Sequence, residues 1–257
     1  MGDVITFRLS RHARTRLEKL DRVLDEFYEA AEAELDNKQD PLEEAIYIIL
    51  SFQTGLGRVK KVWARLRQAF PSWEDVCRAP VRRIARVLRV GGLQAQKART
   101  IKNLLRAVKA RSGEVSLKWL RDMQDEEAER FLTRLPGLSW KGARCVLLYS
   151  LDRAALPIDG NTFRIFKRVG ILPPHSVYRR RVLHDGLQYA VEPSRRKPFH
   201  VNLVVHGQRT CLPRCPRCSA CAARDICAMR GVPGDIRAKV RVSTGSEAAS
   251  LRKGARA

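Results

Sequence analysis

The sequence is short of acidic residues and has no long apolar run. Of its 257 residues only 27 are Asp or Glu, against 50 Lys and Arg, so the formal net charge is +23. Such a surplus predicts a polyanionic partner. Nucleic acid is the obvious one, although a basic ribosome- or membrane-associated protein would carry the same charge. No run of about eighteen apolar residues is present, so we expect no membrane-spanning segment.

The chain also lacks a signal peptide before its basic, amphipathic start, which favours a cytoplasmic protein. In that compartment its seven Cys indicate metal or cluster ligation rather than disulfide bonds. Cys77 and Cys145 fall on predicted helices and are expected to be small buried side chains. The other five lie between Cys211 and Cys227.

Strand-like alternation is weak throughout, whereas apolar residues recur at three- and four-residue spacing, so the sequence predicts an all-α protein. The length suits one large or two small domains. The tail after residue 230 is rich in Gly, Ser, Ala and Arg without periodicity, and is expected to be disordered. The main predicted helices are Arg14–Leu35, Leu42–Phe52, Arg58–Gln68, Trp73–Arg78, Val81–Arg89, Gln94–Lys109, Asp125–Leu135, Trp140–Ser150, Asn161–Val169, Val182–Val191 and Phe199–Arg209.

The most informative stretch runs from Leu135 to Leu148, where two predicted helices meet at a tight turn. Pro136 and Gly137 end the first helix, because Pro lacks an N–H group and Gly allows a positive φ. A turn this short points backbone N–H groups and a helix N-terminus outward, which binds phosphate without reading a base. Lys141 follows at the start of the second helix, where a bound phosphate and its sugar would lie.

A second turn, Gly91-Gly92-Leu93, interrupts a basic region. Residues 58–111 hold sixteen Lys or Arg and only two acids. The turn can be a plain connection between helices. It can also present Leu93 as a wedge that enters duplex DNA where a nucleotide has been extruded. The residues alone leave both interpretations open.

Near the C-terminus, four cysteines are separated by six, two and five residues: Cys211, Cys218, Cys221 and Cys227. Thiolates this close on a loop can surround one soft metal centre, so the spacing is compatible with zinc or with an iron–sulfur cluster. Cys215 lies among Pro and Arg residues and is interpreted as an exposed loop residue, not a ligand. His206, in the apolar helix before the loop, is expected to be a hydrogen-bonded structural residue.

These motifs resemble the endonuclease III family of DNA glycosylases. The stretch from Leu135 to Lys141, followed eighteen residues later by Asp159, is similar to the helix-hairpin-helix of that family with its catalytic Lys and Asp. The family usually has a second Gly in the hairpin and often Thr after the Lys, where this chain has Ser139 and Gly142. The hairpin residues that the resemblance places on DNA are Pro136, Gly137, Leu138, Ser139 and Gly142.

The resemblance extends to the wedge and to the cysteine loop. In the family, a Gln after the second helix and a Leu in such a turn fill the gap left by the flipped base, and Gln53 and Leu93 stand at the matching places. The six-two-five cysteine pattern after a helix ending at Thr210 is characteristic of the family's [4Fe–4S] loop. A [4Fe–4S] cluster is therefore the implied cofactor, on Cys211, Cys218, Cys221 and Cys227.

The resemblance covers about Pro41 to Met229 and implies two helical domains with a DNA-binding cleft between them. Residues 36–153 would form a six-helix domain with the helix-hairpin-helix. Residues 1–35 and 154–230 would form the N-terminal helix plus iron–sulfur cluster domain. Residues 231–257 would be a disordered basic tail.

The implied function is a monomeric, bifunctional DNA glycosylase and AP (abasic-site) lyase of base excision repair, in a bacterium associated with the nucleoid. Neutral Lys141 would attack the sugar carbon, form a Schiff base and cut the strand by β-elimination. Asp159 would accept a proton or stabilise positive charge at the sugar. Taken singly, Lys141 could be a plain phosphate contact and Asp159 a helix N-cap. The expected substrates are oxidised or ring-saturated pyrimidines in duplex DNA.

Three alternatives stay open. An adenine-mismatch glycosylase needs a catalytic Glu five residues before the wedge Gln, and this chain has Ile48 there. The segment Ser116–Asp122 resembles part of the plant glycosylases that remove 5-methylcytosine. A non-catalytic iron–sulfur DNA-binding protein would bind duplexes without cutting them.

Overall fold

The structure, a computed structural model, describes residues 7–28, 35–234 and 236–237. This part of the chain is helical and contains no strand, which confirms the all-α prediction. None of its helices is both long and apolar enough to cross a membrane. Most of the expected disordered tail, and the C-terminal end of the first predicted helix, lie outside the described residues.

The α-helices are numbered in chain order: α1 (Arg11–Tyr28), α2 (Pro41–Ser51), α3 (Leu56–Ala69), α4 (Trp73–Arg78), α5 (Val81–Val87), α6 (Gln94–Ser112), α7 (Asp125–Arg134), α8 (Trp140–Ser150), α9 (Gly160–Val169), α10 (Arg181–Tyr189) and α11 (Arg196–Arg209). Short 3₁₀ turns supplement them at Leu88–Gly91, Lys118–Asp122, Pro193–Arg195, Cys218–Ala220 and Arg224–Ile226. Most predicted helices therefore form, with ends shifted by a few residues.

The chain divides into two compact units, Ala33–Pro157 and a second unit made of Met1–Glu32 and Ile158–Ala257. In the first unit, α2 is the central helix, and it packs against α3, α6 and α8. Its N-terminus follows the predicted pattern: the Asp40 carboxylate accepts hydrogen bonds from Leu42 N and Glu43 N, with Pro41 at the first helical position. Eight of its eleven residues are buried, as an apolar central helix requires.

The described part of this unit holds seven α-helices, α2 to α8, where the resemblance implies six. The shortest of the seven is α4, which forms at the residues that the sequence predicted. Ser72 and Asp75 form a capping box at its start, in which each side chain bonds the backbone N–H of the other. That reciprocal bonding satisfies two N–H groups that a short helix would otherwise expose.

In the second unit, α11 packs against both α1 and α9. Arg195, just before α11, binds the carboxylates of Asp21 and Asp25 on α1 at 2.8 and 3.0 Å. The helix begins at Arg196, three residues before the predicted start at Phe199. Pro198 does not prevent this, because the first turn of a helix needs no intrahelical N–H donor.

Candidate active site and cysteine loop

The predicted hairpin forms between α7 and α8. Ser139 is the N-cap of α8, and its Oγ accepts a hydrogen bond from Gly142 N at 3.5 Å. Leu138 N donates to Leu135 O at 3.2 Å, which closes the turn on itself. Ser139, where the family resemblance expected Gly, therefore has a local role of its own, since it satisfies one of the N–H groups at the helix start.

Gly137 makes this turn possible. Its φ is +85°, a region that residues with a side chain rarely adopt. A Cβ at this position would also collide with the γ-methyl group of Thr100 and meet Ile49 at 3.1 Å. The hairpin therefore requires Gly here for two independent reasons, conformation and close packing.

Two predicted DNA-binding residues of the hairpin are buried. The Leu138 side chain belongs to the hydrophobic core and is only 7% exposed. Gly142 is buried as well, and a Cβ there would meet Leu138 at 3.2 Å and Ile48 at 3.5 Å. Packing in the core uses the Leu138 side chain, so any contact of these two residues with DNA would be made by the backbone, and that contact stays a prediction. In contrast, Gly137 and Ser139 are exposed and Pro136 is half-buried.

Lys141 lies in the first turn of α8 and is half-buried. Close to it is Glu44 of α2, which is completely buried and accepts hydrogen bonds from Asn37 Nδ2 at 2.6 Å and Lys38 N at 2.7 Å. Burial raises the pKa of Glu44, while those two hydrogen bonds and the charge of Lys141 act in the opposite direction. The predicted nucleophile thus lies within the electrostatic reach of a buried carboxyl group that the sequence did not single out.

A buried ion pair joins the two hairpin helices. Arg144 of α8 is 1% exposed, and its Nε donates to Glu129 Oε1 of α7 at 2.8 Å. Removing one partner of such a pair leaves an uncompensated charge in the interior. Neither residue was predicted to matter, because a charged residue on an amphipathic helix usually faces solvent.

The two predicted wedge residues, Gln53 and Leu93, share an unusual backbone. Their φ angles are +51° and +50°, and both residues are exposed. Non-Gly residues in this region carry a conformational cost that the surrounding structure must offset. Phe52, which the sequence did not single out, presents a 59% exposed ring beside Gln53, and Leu93 is 42% exposed. The first unit thus displays two apolar side chains and one amide on adjoining turns.

Asp159 is the N-cap of α9, in the second unit. Its Oδ1 accepts from Thr162 N at 2.7 Å, and its Oδ2 accepts from Asn161 Nδ2 at 2.9 Å. The N-cap interpretation is therefore confirmed, and it leaves the catalytic role as a prediction. Lys141 belongs to the first unit and Asp159 to the second.

A chain of hydrogen bonds connects Asp159 with the cysteine loop. Arg164 Nη2 donates to Asn161 Oδ1 and to Cys211 O, both at 2.9 Å. Gly207 allows this approach, because a Cβ there would meet Asn161 at 2.5 Å. The carboxylate thus has a fixed orientation that depends on the backbone of the loop.

The four predicted ligand cysteines are close enough to affect one another's ionisation. Burial, assisted by the thiolate charges of Cys227, Cys211 and Cys218 and opposed by a hydrogen bond from the backbone of Ala223, raises the pKa of Cys221 to about 12. The pKa values of Cys218 and Cys227 are raised by burial and by neighbouring cysteines too. Such a set would hold several thiolates only together with a compensating cation.

Arg168 contacts the cysteine loop through one thiol and two carbonyl groups. Arg168 Nη1 lies 3.4 Å from Cys211 Sγ, and Arg168 also donates to the carbonyls of Leu212 and Pro213. Cys215 is exposed. Among the described residues, no group of three or more His, Cys, Asp or Glu is arranged to hold a metal ion. The cluster therefore stays a prediction that rests on the six-two-five spacing of the four cysteines.

His206 is hydrogen-bonded, as predicted. Its Nδ1 lies 3.0 Å from Tyr28 Oη, and its Nε2 lies 3.7 Å from Cys221 Sγ. Burial, with a smaller contribution from the charge of Arg164, lowers the pKa of His206 to about 4. The imidazole is therefore neutral at neutral pH.

The protein-family comparison decides the affiliation of the chain. Residues 46–182 match the family described as HhH-GPD superfamily base excision DNA repair protein. That range includes the wedge turns, the hairpin with Lys141, and Asp159. The chain belongs to the HhH-GPD superfamily. The match ends before the cysteine loop, so it does not test the cluster.

Curated relatives of this HhH-GPD protein include plant proteins and an archaeal one. A candidate DNA glycosylase of Arabidopsis thaliana is 31% identical over 147 residues, 57% of this chain and 50% of that protein. DNA glycosylase/AP lyase ROS1 of the same plant is 26% identical over 170 residues, 60% of this chain and 12% of that protein. Endonuclease III of Sulfolobus acidocaldarius is 31% identical over 151 residues, 58% of this chain and 63% of that protein. The chain spans less than two thirds of each.

Among solved structures, this HhH-GPD chain is similar to endonuclease III in a non-covalent complex with DNA. The TM-score is 0.71 at 23% sequence identity, over 83% of this chain and 94% of that chain. The likeness shows that the chain has the endonuclease III fold, as the sequence motifs predicted.

Proposed function

We propose that this HhH-GPD protein is a bifunctional DNA glycosylase and AP lyase that acts as a monomer on duplex DNA. The observation that carries the proposal is the position of Lys141, half-buried in the first turn of α8 and directly behind the Gly137 turn. A helix N-terminus favours an anion beside it, so a phosphate bound there would bring its sugar to the Lys141 amine.

The reaction replaces the bond to the base and one ring bond of the sugar by a carbon–nitrogen double bond to Lys141. The neutral amine of Lys141 attacks the carbon that carries the base, and the bond to the base breaks with its electron pair leaving on the base, which takes up a proton. The bond from this carbon to the ring oxygen then breaks, the ring oxygen takes up a proton, and the nitrogen lone pair forms the Schiff base. The Schiff base acidifies the neighbouring sugar proton, whose loss expels the 3′ phosphate and cuts the strand. The Asp159 carboxylate, oriented by Thr162 N and Asn161, would stabilise positive charge at the sugar.

Base release requires that the nucleotide leave the duplex, which costs a few kcal/mol and less for a damaged pair. Gln53 and Leu93 are exposed on adjoining turns, and their side chains suit the gap that the extruded base leaves. The net charge of +23 supports tight phosphate binding, which is independent of base sequence.

Oxidised or ring-saturated pyrimidines are the substrates that we favour. A 5-methylcytosine substrate is the second candidate, because the segment Ser116–Asp122 resembles part of the plant glycosylases that remove 5-methylcytosine. The adenine-mismatch branch has less support, since Ile48, at the place of its catalytic Glu, is apolar and lies near Gly142.

The cofactor that fits the second unit is a [4Fe–4S] cluster. Its ligands would be Cys211, Cys218, Cys221 and Cys227, whose number and spacing agree with four-thiolate ligation. When bound, the cluster would supply the positive charge that four partly buried thiolates need. It would also fix the loop whose Cys211 carbonyl receives Arg164.

A panel of duplexes tests the proposed function. The wild type and the Lys141→Gln variant would be compared on thymine glycol, uracil, 5-methylcytosine, mispaired adenine and a pre-formed abasic site. We expect the wild type to release thymine glycol and to cut the abasic strand, and the variant to do neither. Release confined to 5-methylcytosine would favour the second candidate, and binding without release or cleavage would favour a non-catalytic DNA-binding protein.

A further inference from the structure

Lys97, on the second turn of α6, is buried between the two wedge turns, which are the turn that carries Gln53 and the turn that carries Leu93. It is 4% exposed, and its Nζ donates to Leu50 O at 2.8 Å, Thr54 Oγ1 at 2.6 Å and Gly91 O at 3.3 Å. Leu50 belongs to the last turn of α2, whose carbonyl groups have no partner within the helix. One ammonium group thus binds the end of α2, the turn after it and the glycine turn.

The contact network includes both wedge turns. Thr54 Oγ1, which accepts from Lys97, donates to Gly91 O at 2.7 Å. The backbone N–H of Lys97 donates to Leu93 O at 2.9 Å, so the residue contacts the glycine turn through its main chain as well. Thr54 and Gly91 are 37 residues apart in the chain, and direct hydrogen bonds therefore join the two turns.

The position is an expensive one for a lysine. Burial lowers the pKa of Lys97, and among the described residues no carboxylate compensates its charge. Hydrogen bonds from a charged donor to three oxygens offset part of that cost. Gln53 and Leu93 both hold a positive φ, which needs a surrounding structure that fixes the backbone. The ammonium group supplies that fixation at the point where the turns meet.

We infer that Lys97 is a positioning residue that joins the turn of Phe52 and Gln53 to the turn of Leu93, so that these three side chains enter DNA as one rigid tip. The inference rests on the proposed function, because it assigns the tip to base extrusion. Lys97 itself touches neither base nor sugar. Its effect is exerted through the geometry of the two turns.

Lys102 provides a matched control on the same helix. It is 7% exposed, and its Nζ donates to the carbonyls of Ala79 and Arg78 after α4, away from the wedge. Both residues are buried lysines of α6 that bind backbone carbonyls. A substitution by Met should therefore reduce the stability of the fold in both cases, and only Lys97→Met should disturb the wedge.

The experiment compares Lys97→Met with Lys102→Met at a temperature where both variants are folded. We expect Lys97→Met to lose on the order of 10-fold or more in the single-turnover rate of damaged-base release, because misplaced contacting groups reduce rates steeply. It should lose much less in cleavage of a pre-formed abasic duplex. Lys102→Met should keep the wild-type ratio of the two rates. The same ratio in both variants would overturn the inference.

Two further measurements separate positioning from stability. Leu93→Ala and Lys97→Met should be strongly non-additive in base release if they act on one tip, and additive if they do not. Thr54→Val, which removes the bridging hydroxyl from a half-buried position, should reproduce the altered rate ratio in a more stable background.

Amide hydrogen exchange distinguishes a failure of the inference from a failure of the proposed function. We expect Lys97→Met to increase exchange at residues 52–55 and 91–93 relative to Lys102→Met. If exchange increases but the wild type releases no base, the proposed function is wrong, and the inference that Lys97 joins the two turns stands. If exchange is equal in the two variants, Lys97 does not join the two turns, whether or not the wild type releases the base.

Discussion

The hairpin turn offers a prediction whose size can be worked out from two separate terms. In Gly137→Ala, the alanine backbone must adopt a φ near +85°, which costs about 1–2 kcal/mol. It must also displace Thr100 and Ile49, and overpacking of this kind costs about 1–3 kcal/mol. The free energy of unfolding should therefore fall by about 2–5 kcal/mol, measured by urea denaturation.

Gly113 separates the two terms. It has a φ of +80° at the end of α6, and nothing lies within 4 Å of a Cβ there. Gly113→Ala should therefore show only the conformational cost, about 1–2 kcal/mol. Adding Thr100→Ser to Gly137→Ala removes the methyl group that is struck and should restore part of the loss. Equal losses for the two Gly variants, or no rescue by Thr100→Ser, would refute this account of the turn.

Three more predictions follow from the site. Leu93→Ala should slow release of a damaged base more than cleavage of an abasic strand, with non-specific duplex binding nearly unchanged; equal losses on both substrates would make Leu93 a packing residue. Cys221→Ser should lower the iron content and thermal stability of anaerobically purified protein, while Cys215→Ser should retain about four irons per chain; stoichiometric zinc in the wild type would contradict the cluster. Burial raises the pKa of Glu44 above its ordinary 4.5, so the folded state binds the Glu44 proton more tightly than the unfolded state does. The stability that protonated Glu44 contributes is therefore lost as the pH rises from about 4.5 through the raised pKa. Glu44→Gln should remove that slope in denaturation curves recorded between pH 4 and 7, and an unchanged slope would contradict the assignment.

Local signals in the sequence predicted the helices and the hairpin well. Apolar spacing identified α2 and α8, Pro136 and Gly137 identified the turn between α7 and α8, and Asp159 had the position of an N-cap. Each of these features depends on residues within one or two helical turns, where propensity and capping act directly.

The features that were missed depend on residues far apart in the chain. Lys97 and Arg144 read as solvent-exposed charges on amphipathic helices, and nothing local indicates that each is buried against a partner many residues away. The inward position of the Leu138 side chain also depends on packing against the core and not on the hairpin sequence alone. The exposed ring of Phe52 likewise follows from where α2 ends, which tertiary contacts decide.

The central claim, that Lys141 is the nucleophile, is tested most directly by borohydride reduction on an abasic duplex, with the modified residue mapped by mass spectrometry. We expect one covalent protein–DNA adduct, attached to Lys141, and none in Lys141→Gln, which should still bind the duplex because one charge among so many changes affinity little. Asp159→Asn should give the adduct more slowly, since Asn can still cap α9. No adduct in the wild type, or an adduct of undiminished yield in Lys141→Gln, would contradict the claim.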